Sequence, residues 1–157
     1  MERTDMPQMQ INDAMAGNPL FVRTDETIQE AAAVMRDAGV GALPVVGNSE
    51  ELVGIVTDRD IALRAVAEGF GPETTVDQVM TKQLIVVEPS DDLEEALTLM
   101  RDHQVRRLPV VEGERLVGIV AQADVAALIA PAEVADTLRG LSEPAATQAA
   151  RRTQERR

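Results

Sequence analysis

Few residues of this 157-residue chain are of kinds that do covalent chemistry, and those few are scattered. There is no cysteine, hence no thiol nucleophile, no thiolate metal site and no disulfide framework. His103 is the one histidine, and a lone imidazole at a helix end reads as a solvated residue, not as a metal or catalytic site. Carboxylates are abundant, 27 Asp and Glu against 15 Lys and Arg. No two of them are set apart for acid–base work, and no Ser, His and Asp stand in order near a strand–turn–helix elbow. What remains suits non-covalent binding. A hydroxyl and two carboxylates cluster in Thr57-Asp58-Arg59-Asp60, and two guanidiniums stand side by side at Arg106-Arg107. Guanidinium forks match phosphate oxygens, and a carboxylate is a strong acceptor for hydroxyl donors.

These groups lie in a stretch that the chain carries twice. LPVVGNSEELVGIVTDRDIAL (residues 43–63) returns as LPVVEGERLVGIVAQADVAAL (residues 108–128), with LPVV and LVGIV identical in both. Upstream, Met35-Arg36-Asp37 recurs as Met100-Arg101-Asp102, 65 positions on; after Pro44 and Pro109 the offset falls to 64, so the second turn has lost one residue. In each copy two β-branched runs flank a polar turn, which predicts a hairpin. A helix should follow, with Asp58 as its cap and Ile61, Leu63, Ala65 and Val66 as its apolar surface. Gln122 in place of Asp58 is a poorer cap. Gly54 and Gly118, inside the second runs, permit tight backbone approach.

The earlier parts of each copy match as well. INDAM (11–15) and VDQVM (76–80) predict an opening helix turn, and LFV (20–22) and LIVV (84–87) predict a short strand. Ile28, Ala31, Ala32 and Met35 then fall at helical spacing, as do Leu93, Ala96, Leu97 and Met100. Acidic pairs, Asp25-Glu26 and Asp91-Asp92, start both helices where the dipole favours negative charge, and Gly39 suits the end of the first, with Gln104 in its place in the second. Each unit is thus of βαββα type with an opening turn. The expected division is 11–70, 76–130 and a tail at 131–157 with a helix to about Leu141 and a mobile Arg-rich end.

A repeat of about 55 residues buries too little alone, so the copies should pack on each other around a shared core. The core must be aliphatic, since Phe21 and Phe70 are the only aromatic residues, and a flat ligand would be sandwiched by aliphatic groups. No apolar run reaches membrane-spanning length and the first ten residues lack signal-peptide character, so a cytoplasmic location is expected. The net charge of −12 argues against general nucleic-acid binding. Five basic against two acidic residues at 139–157 make the tail an exception, read as a solvated one.

On GVGALPVV with LVGIVTDRDIA and VRRLPVV with LVGIVAQADVA, the chain resembles a pair of cystathionine-β-synthase (CBS) domains, the tandem known as a Bateman module, over about residues 11–130. The resemblance implies an α+β fold, two units packed about a pseudo-twofold axis, with a cleft between them for AMP, ADP, ATP, NAD or S-adenosylmethionine and no required cofactor. It also implies a homodimer in which two modules pair into a flat disc through their helices, with an effector protein of unknown identity as a further partner. Carried onto this sequence, Asp60 bonds ribose hydroxyls, Thr57 reaches phosphate or ribose, and the backbone of Val40, Gly41, Ala42, Leu43 and Pro44 holds base or phosphate. In copy two the matching positions are Asp124 and Val105, Arg106, Arg107, Leu108 and Pro109. Ala121 replaces Thr57, removing one hydroxyl, while Arg106 and Arg107 stand where copy one has Gly41 and Ala42. Copy one is thereby better equipped for ribose and copy two for phosphate, and both sets can contribute to one occupied cleft. No metal is implied. Alternatives stay open: Asp60 and Asp124 as first-turn acids that favour their helices, Thr57 as a cap, the arginines as partners of surface acids. The expected function is regulatory ligand sensing without catalysis, against the alternative of an empty structural or stress-associated dimer.

Overall fold

The computed structural model describes residues 8–129. The expected tail at 131–157 lies outside the described residues, as does the end of the second unit. In repeat 1, strand β1 (Ala16–Gly17) and strand β2 (Val22–Arg23) precede helix α1 (Ile28–Ala38), the hairpin β3 (Ala42–Val46) and β4 (Leu52–Thr57), and helix α2 (Asp58–Asp60). Repeat 2 holds α3 (Leu93–His103), β5 (Arg107–Glu112), β6 (Arg115–Ala121) and α4 (Gln122–Ile129). Short 3-10 turns, Ile11–Asp13 and Val76–Gln78, stand at the two predicted opening positions.

The long helices begin and end as their sequences require. Thr27 caps α1: its hydroxyl accepts from the Glu30 amide, while the Glu30 carboxylate accepts from the Thr27 amide. Asp92 caps α3. Both helices close on a left-handed residue, Gly39 at φ 67° and Gln104 at φ 55°. Glycine does this without strain, and glutamine carries a cost that the duplication has not removed. Of the two acidic pairs, Glu26 and Asp91 act one step before the helix: Glu26 accepts from the Arg23 amide and Asp91 from the Glu88 amide, closing matching turns.

Each hairpin bulges at one position, between Val45 and Val46 and between Val110 and Val111. The sheets are β2-β3-β4 and β1-β6-β5. β1 belongs to repeat 1 by sequence, yet it pairs with β6 of repeat 2, Ala16 opposite Ile119 and Gly17 opposite Gly118. The counterpart is a bridge between Thr81 and Ile55 of β4. The predicted strand at 84–87 is not formed; Val87 makes one parallel bridge to Val110.

The expected shared core is corrected by this exchange. Two apolar clusters form, one around Val22, Met35, Leu43 and Val56, the other around Leu93, Met100, Leu108 and Val120. Each is completed by the other repeat's opening turn: Ile11 is fully buried in the second, and Val76, Val79 and Met80 are buried in the first. Backbone bonds repeat the swap. The Val76 amide donates to the Glu26 carbonyl as Ile11 does to Asp91, and Ile28 donates to Thr74 as Leu93 does to Met9. A unit of this size lacks the surface to fill its own interior, so it borrows a turn from its twin. The expectation that the repeats depend on each other therefore holds by a different route.

The exchange places the glycines. A Cβ on Gly54 would lie 2.7 Å from the Met80 sulfur and 3.0 Å from the Thr81 carbonyl; one on Gly118 would lie 2.9 Å from the Ala16 carbonyl. The hairpin turns also meet, where the Leu52 amide donates to the Glu114 carbonyl at 2.8 Å and Arg115 pairs with Glu50 at 3.1 Å.

Candidate functional site

Antiparallel pairing sets Ala42 opposite Thr57 and Arg107 opposite Ala121. The start of one strand therefore stands beside the end of the next, where the following helix begins. In repeat 1 this brings together Val40, Gly41, Ala42, Thr57 and Asp60; in repeat 2 it brings together Val105, Arg106, Arg107, Ala121 and Asp124. Leu43, Pro44, Leu108 and Pro109 are buried. Leu43 and Leu108 face the apolar clusters, so only their backbone is placed to meet a ligand.

Thr57, not Asp58, is the cap of α2. Its hydroxyl accepts from the Asp60 amide at 2.9 Å, and the Asp60 carboxylate accepts from the Thr57 amide at 3.1 Å. Asp58 is the first helical residue; its amide donates to the Gly41 carbonyl at 2.9 Å. Past Asp60 the helix winds more widely over Ile61–Val66, a π-helical stretch in which the Ala67 amide donates to the Ala62 carbonyl.

Asp60 is the one buried acid among the described residues, 8% exposed. Its carboxylate also faces the Thr81 hydroxyl at 3.3 and 3.4 Å and Arg64 at 3.7 Å. Arg64 in turn reaches back to the Met80 carbonyl at 3.3 Å. A carboxylate offers about four lone-pair positions, and among the described residues only the Thr57 amide takes one at short range. The remaining contacts are long, which leaves acceptor capacity for incoming hydroxyl groups. The Thr57 hydroxyl spends acceptor capacity on its cap and keeps its proton to donate.

Thr81 and Arg64 escaped the sequence reading. Thr81 opens the segment after the second VM, and its counterpart 65 positions earlier is Ala16. Its place beside Asp60 follows from the exchange of opening segments, which repeat identity alone does not disclose. Arg64 sits four residues past Asp60, a spacing that brings helical side chains together, and that signal was available.

Repeat 2 differs at each of these positions. Ala121 is buried and has no hydroxyl to cap α4. Asp124 is half-buried, while Arg106 and Arg107 are exposed. Among the described residues, a cavity of about 410 Å³ bounded by both repeats is lined by Asn18, Phe21, Val46, Glu50, Arg115 and Val117, among others. It contains none of the predicted ligand residues. Arg23 lies over the Phe21 ring at 5.6 Å, a cation–π contact on its rim.

Two copies of one strand–helix joint, each with its acid three residues past the end of a GIV strand, make the decisive pattern, and comparison agrees. The CBS domain model matches residues 11–66 and 76–131. The chain belongs to the CBS domain family. A relative from Bacillus subtilis, the CBS domain-containing protein YhcV, is 47% identical over 116 residues, 74% of this chain and 82% of its own. Among solved structures, the CBS domain pair of protein MJ0100, in complex with 5-methylthioadenosine and S-adenosyl-L-methionine, is 28% identical with TM-score 0.67, covering 78% of this chain and 97% of that one. CBSX2 in complex with AMP is 27% identical with TM-score 0.67, covering 76% and 95%. The fold is therefore a mixed α/β tandem CBS pair. No helix among the described residues is long and apolar enough to cross a membrane. No cluster of three His, Cys, Asp or Glu residues suited to a metal ion occurs among them either.

Proposed function

We propose that this CBS pair is a non-catalytic regulatory module, located in the cytoplasm, that binds an adenosine-containing ligand. The observation that carries the reading is Asp60, a buried carboxylate at a helix start with acceptor positions to spare. Ribose hydroxyls bond its free positions, the Thr57 hydroxyl donates to ribose or phosphate, and the backbone of Val40 to Pro44 borders the base. In repeat 2, Asp124 takes the ribose role, the backbone of Val105 to Pro109 the border, and Arg106 and Arg107 face phosphate. The ligand-bound structures of MJ0100 and CBSX2 support the ligand class, since both are CBS proteins of the same fold.

The module acts as a homodimer. Leu63, Val66 and Phe70 are exposed, by 49%, 67% and 51%, on and just beyond the π-helical stretch, whereas the apolar stripes of α1 and α3 face the clusters. Pairing thus uses the face that follows α2. A ligand shifts the geometry of such a dimer only through unequal affinity for its two forms, and that change is what an effector protein reads.

Native mass spectrometry of the purified chain tests the ligand reading. A bound mass equal to an adenine nucleotide or S-adenosylmethionine supports it. A ligand-free dimer whose melting temperature none of these compounds raises supports the second reading, a structural or stress-associated interaction protein. That reading is favoured by Ala121, which leaves one of the two joints without its hydroxyl.

A further inference from the structure

The helix that Thr57 caps changes its winding just past Asp60. Over Ile61–Val66 it is π-helical: the Ala67 amide reaches the Ala62 carbonyl five residues back, as the Phe70 amide reaches that of Ala65. The matching residues of repeat 2, 125–129, are α-helical within α4. A turn closed by an i→i+5 bond holds one residue more than an α turn, so a return to α winding puts everything beyond it out of phase by one residue, about 100°. Little opposes such a change. Ala65 is the one buried residue of the stretch, so a single methyl group would leave the core. Gly69, at φ 80°, and Gly71 follow in the linker and can absorb the shift.

Winding also decides where Arg64 stands. On an α-helix its spacing of four from Asp60 sets the two side chains together on one face. With the wider turn, Arg64 Nε stays 3.7 Å from Asp60 Oδ1, beyond the roughly 2.7–2.9 Å of a direct charge-assisted bond. Its Nη1 leans instead on the Met80 carbonyl at 3.3 Å and the Val79 carbonyl at 3.5 Å. Repeat 2 has Leu128 at the matching position, four residues past Asp124. The cation thus occurs beside the acid whose helix is π-wound and is missing where the helix is α-wound.

We propose that Arg64 is an internal competitor for Asp60, held off by the π turn, and that the stretch switches between two windings. In the α form the guanidinium closes on the carboxylate and takes the acceptor positions that ribose hydroxyls need. In the π form those positions are open, and Leu63, Val66 and Phe70 are turned outward. A ligand on Asp60 therefore holds the π form, and with it the direction of the dimer face. That supplies the unequal affinity through which a ligand moves such an equilibrium. The proposal rests on the adenosine reading for the identity of the ligand but not for the two windings.

The test deletes Ala62, an exposed residue, from the full chain. This removes the extra residue and fixes α winding while Ala65 keeps its place; Arg64 then stands three residues from Asp60, still on its face. Adenosine, which offers ribose hydroxyls without a phosphate, should bind the deletion variant at least about tenfold more weakly than the wild type, since a charge-assisted bond must first be displaced. Adding Arg64→Gln to the deletion should restore most of that affinity, which mere loss of structure would not allow. Equal binding by wild type and deletion variant, or no recovery with Arg64→Gln, overturns the proposal. The chain has no cysteine, so a nitroxide on Glu68→Cys reads the winding directly and decides the matter even if the deletion variant fails to fold. Without ligand it should report two environments, and Arg64→Gln and adenosine should shift their ratio the same way. A single environment, or a ratio that Arg64→Gln leaves unchanged, overturns the proposal. If no adenosine compound binds the wild type but the ratio responds to Arg64→Gln, the switch stands and the adenosine reading falls. If neither occurs, both fall.

Discussion

Thr57 and Asp60 are each bonded to the other's backbone, hydroxyl to amide at 2.9 Å and carboxylate to amide at 3.1 Å. The two residues assigned to a ligand therefore also start the helix that presents them. Such double use has a measurable signature. Asp60→Ala removes the carboxylate that accepts from the Thr57 amide, together with the proposed ribose acceptor, and should cost about 0.5–2 kcal/mol of stability in chemical denaturation. Asp60→Asn keeps an oxygen for the Thr57 amide and should lose less than half of that. A cost for the asparagine variant equal to that for alanine would mean that charge, and not the capping bond, is what the helix start needs.

The exchange of opening turns makes a second prediction, about where damage appears. Ile11 belongs to repeat 1 in sequence and to the repeat 2 cluster in space. Ile11→Ala should destabilise by roughly 2–5 kcal/mol, the usual cost of such a cavity. Hydrogen exchange should then rise first in α3, β5 and β6, while α1 and β3 keep their protection. Exchange that rises first in α1 would contradict the swapped arrangement.

A third prediction concerns the contacts that admit the exchanged segments. Gly54→Ala drives a methyl against Met80 and the Thr81 carbonyl, and Gly118→Ala drives one against the Ala16 carbonyl. Each should lower stability by about 1–3 kcal/mol, as overpacking does. Thr81 bridges Ile55 and faces Asp60, so Gly54→Ala should also weaken adenosine binding. Unchanged melting temperatures for both variants would show that the segments are held elsewhere.

The elements were legible because periodicity is local. Residues 28, 31 and 35, the LPVV and LVGIV runs, and Gly39 announce helix, hairpin and cap from their own neighbourhoods. The exchange was not legible, since identical repeats predict equal units without saying whose turn fills whose interior. For the same reason the pairing of Thr57 with Asp60, three residues apart, lies within reach of the sequence, while Thr81, 21 residues beyond Asp60, does not; the ligand role proposed for Thr57 and Asp60 comes from the family resemblance. Aspartate is a strong capping residue, so the sequence points to Asp58 as the cap. The strand ladder runs through Thr57, opposite Ala42, so the cap falls one residue earlier. The segment at 84–87 has strand composition, yet only Val87 meets a partner strand, at Val110.

Exposed apolar groups give a fourth prediction. Val66 is 67% exposed beside Leu63 and Phe70, a cost that a partner surface would remove. Light scattering with size exclusion should report a dimer, and Val66→Asp should shift it to monomer with little change in the fold. A wild-type monomer at about micromolar concentration would remove the dimer from the account.

Titration calorimetry of the wild-type chain and Asp60→Asn with AMP, ATP, NAD and S-adenosylmethionine tests the central claim, that Asp60 holds the ribose of an adenosine-containing ligand. The account predicts saturable binding of at least one compound to the wild type, weakened roughly ten- to hundredfold in the variant. No heat from any of them up to about millimolar ligand, or equal affinity in the two proteins, would contradict it.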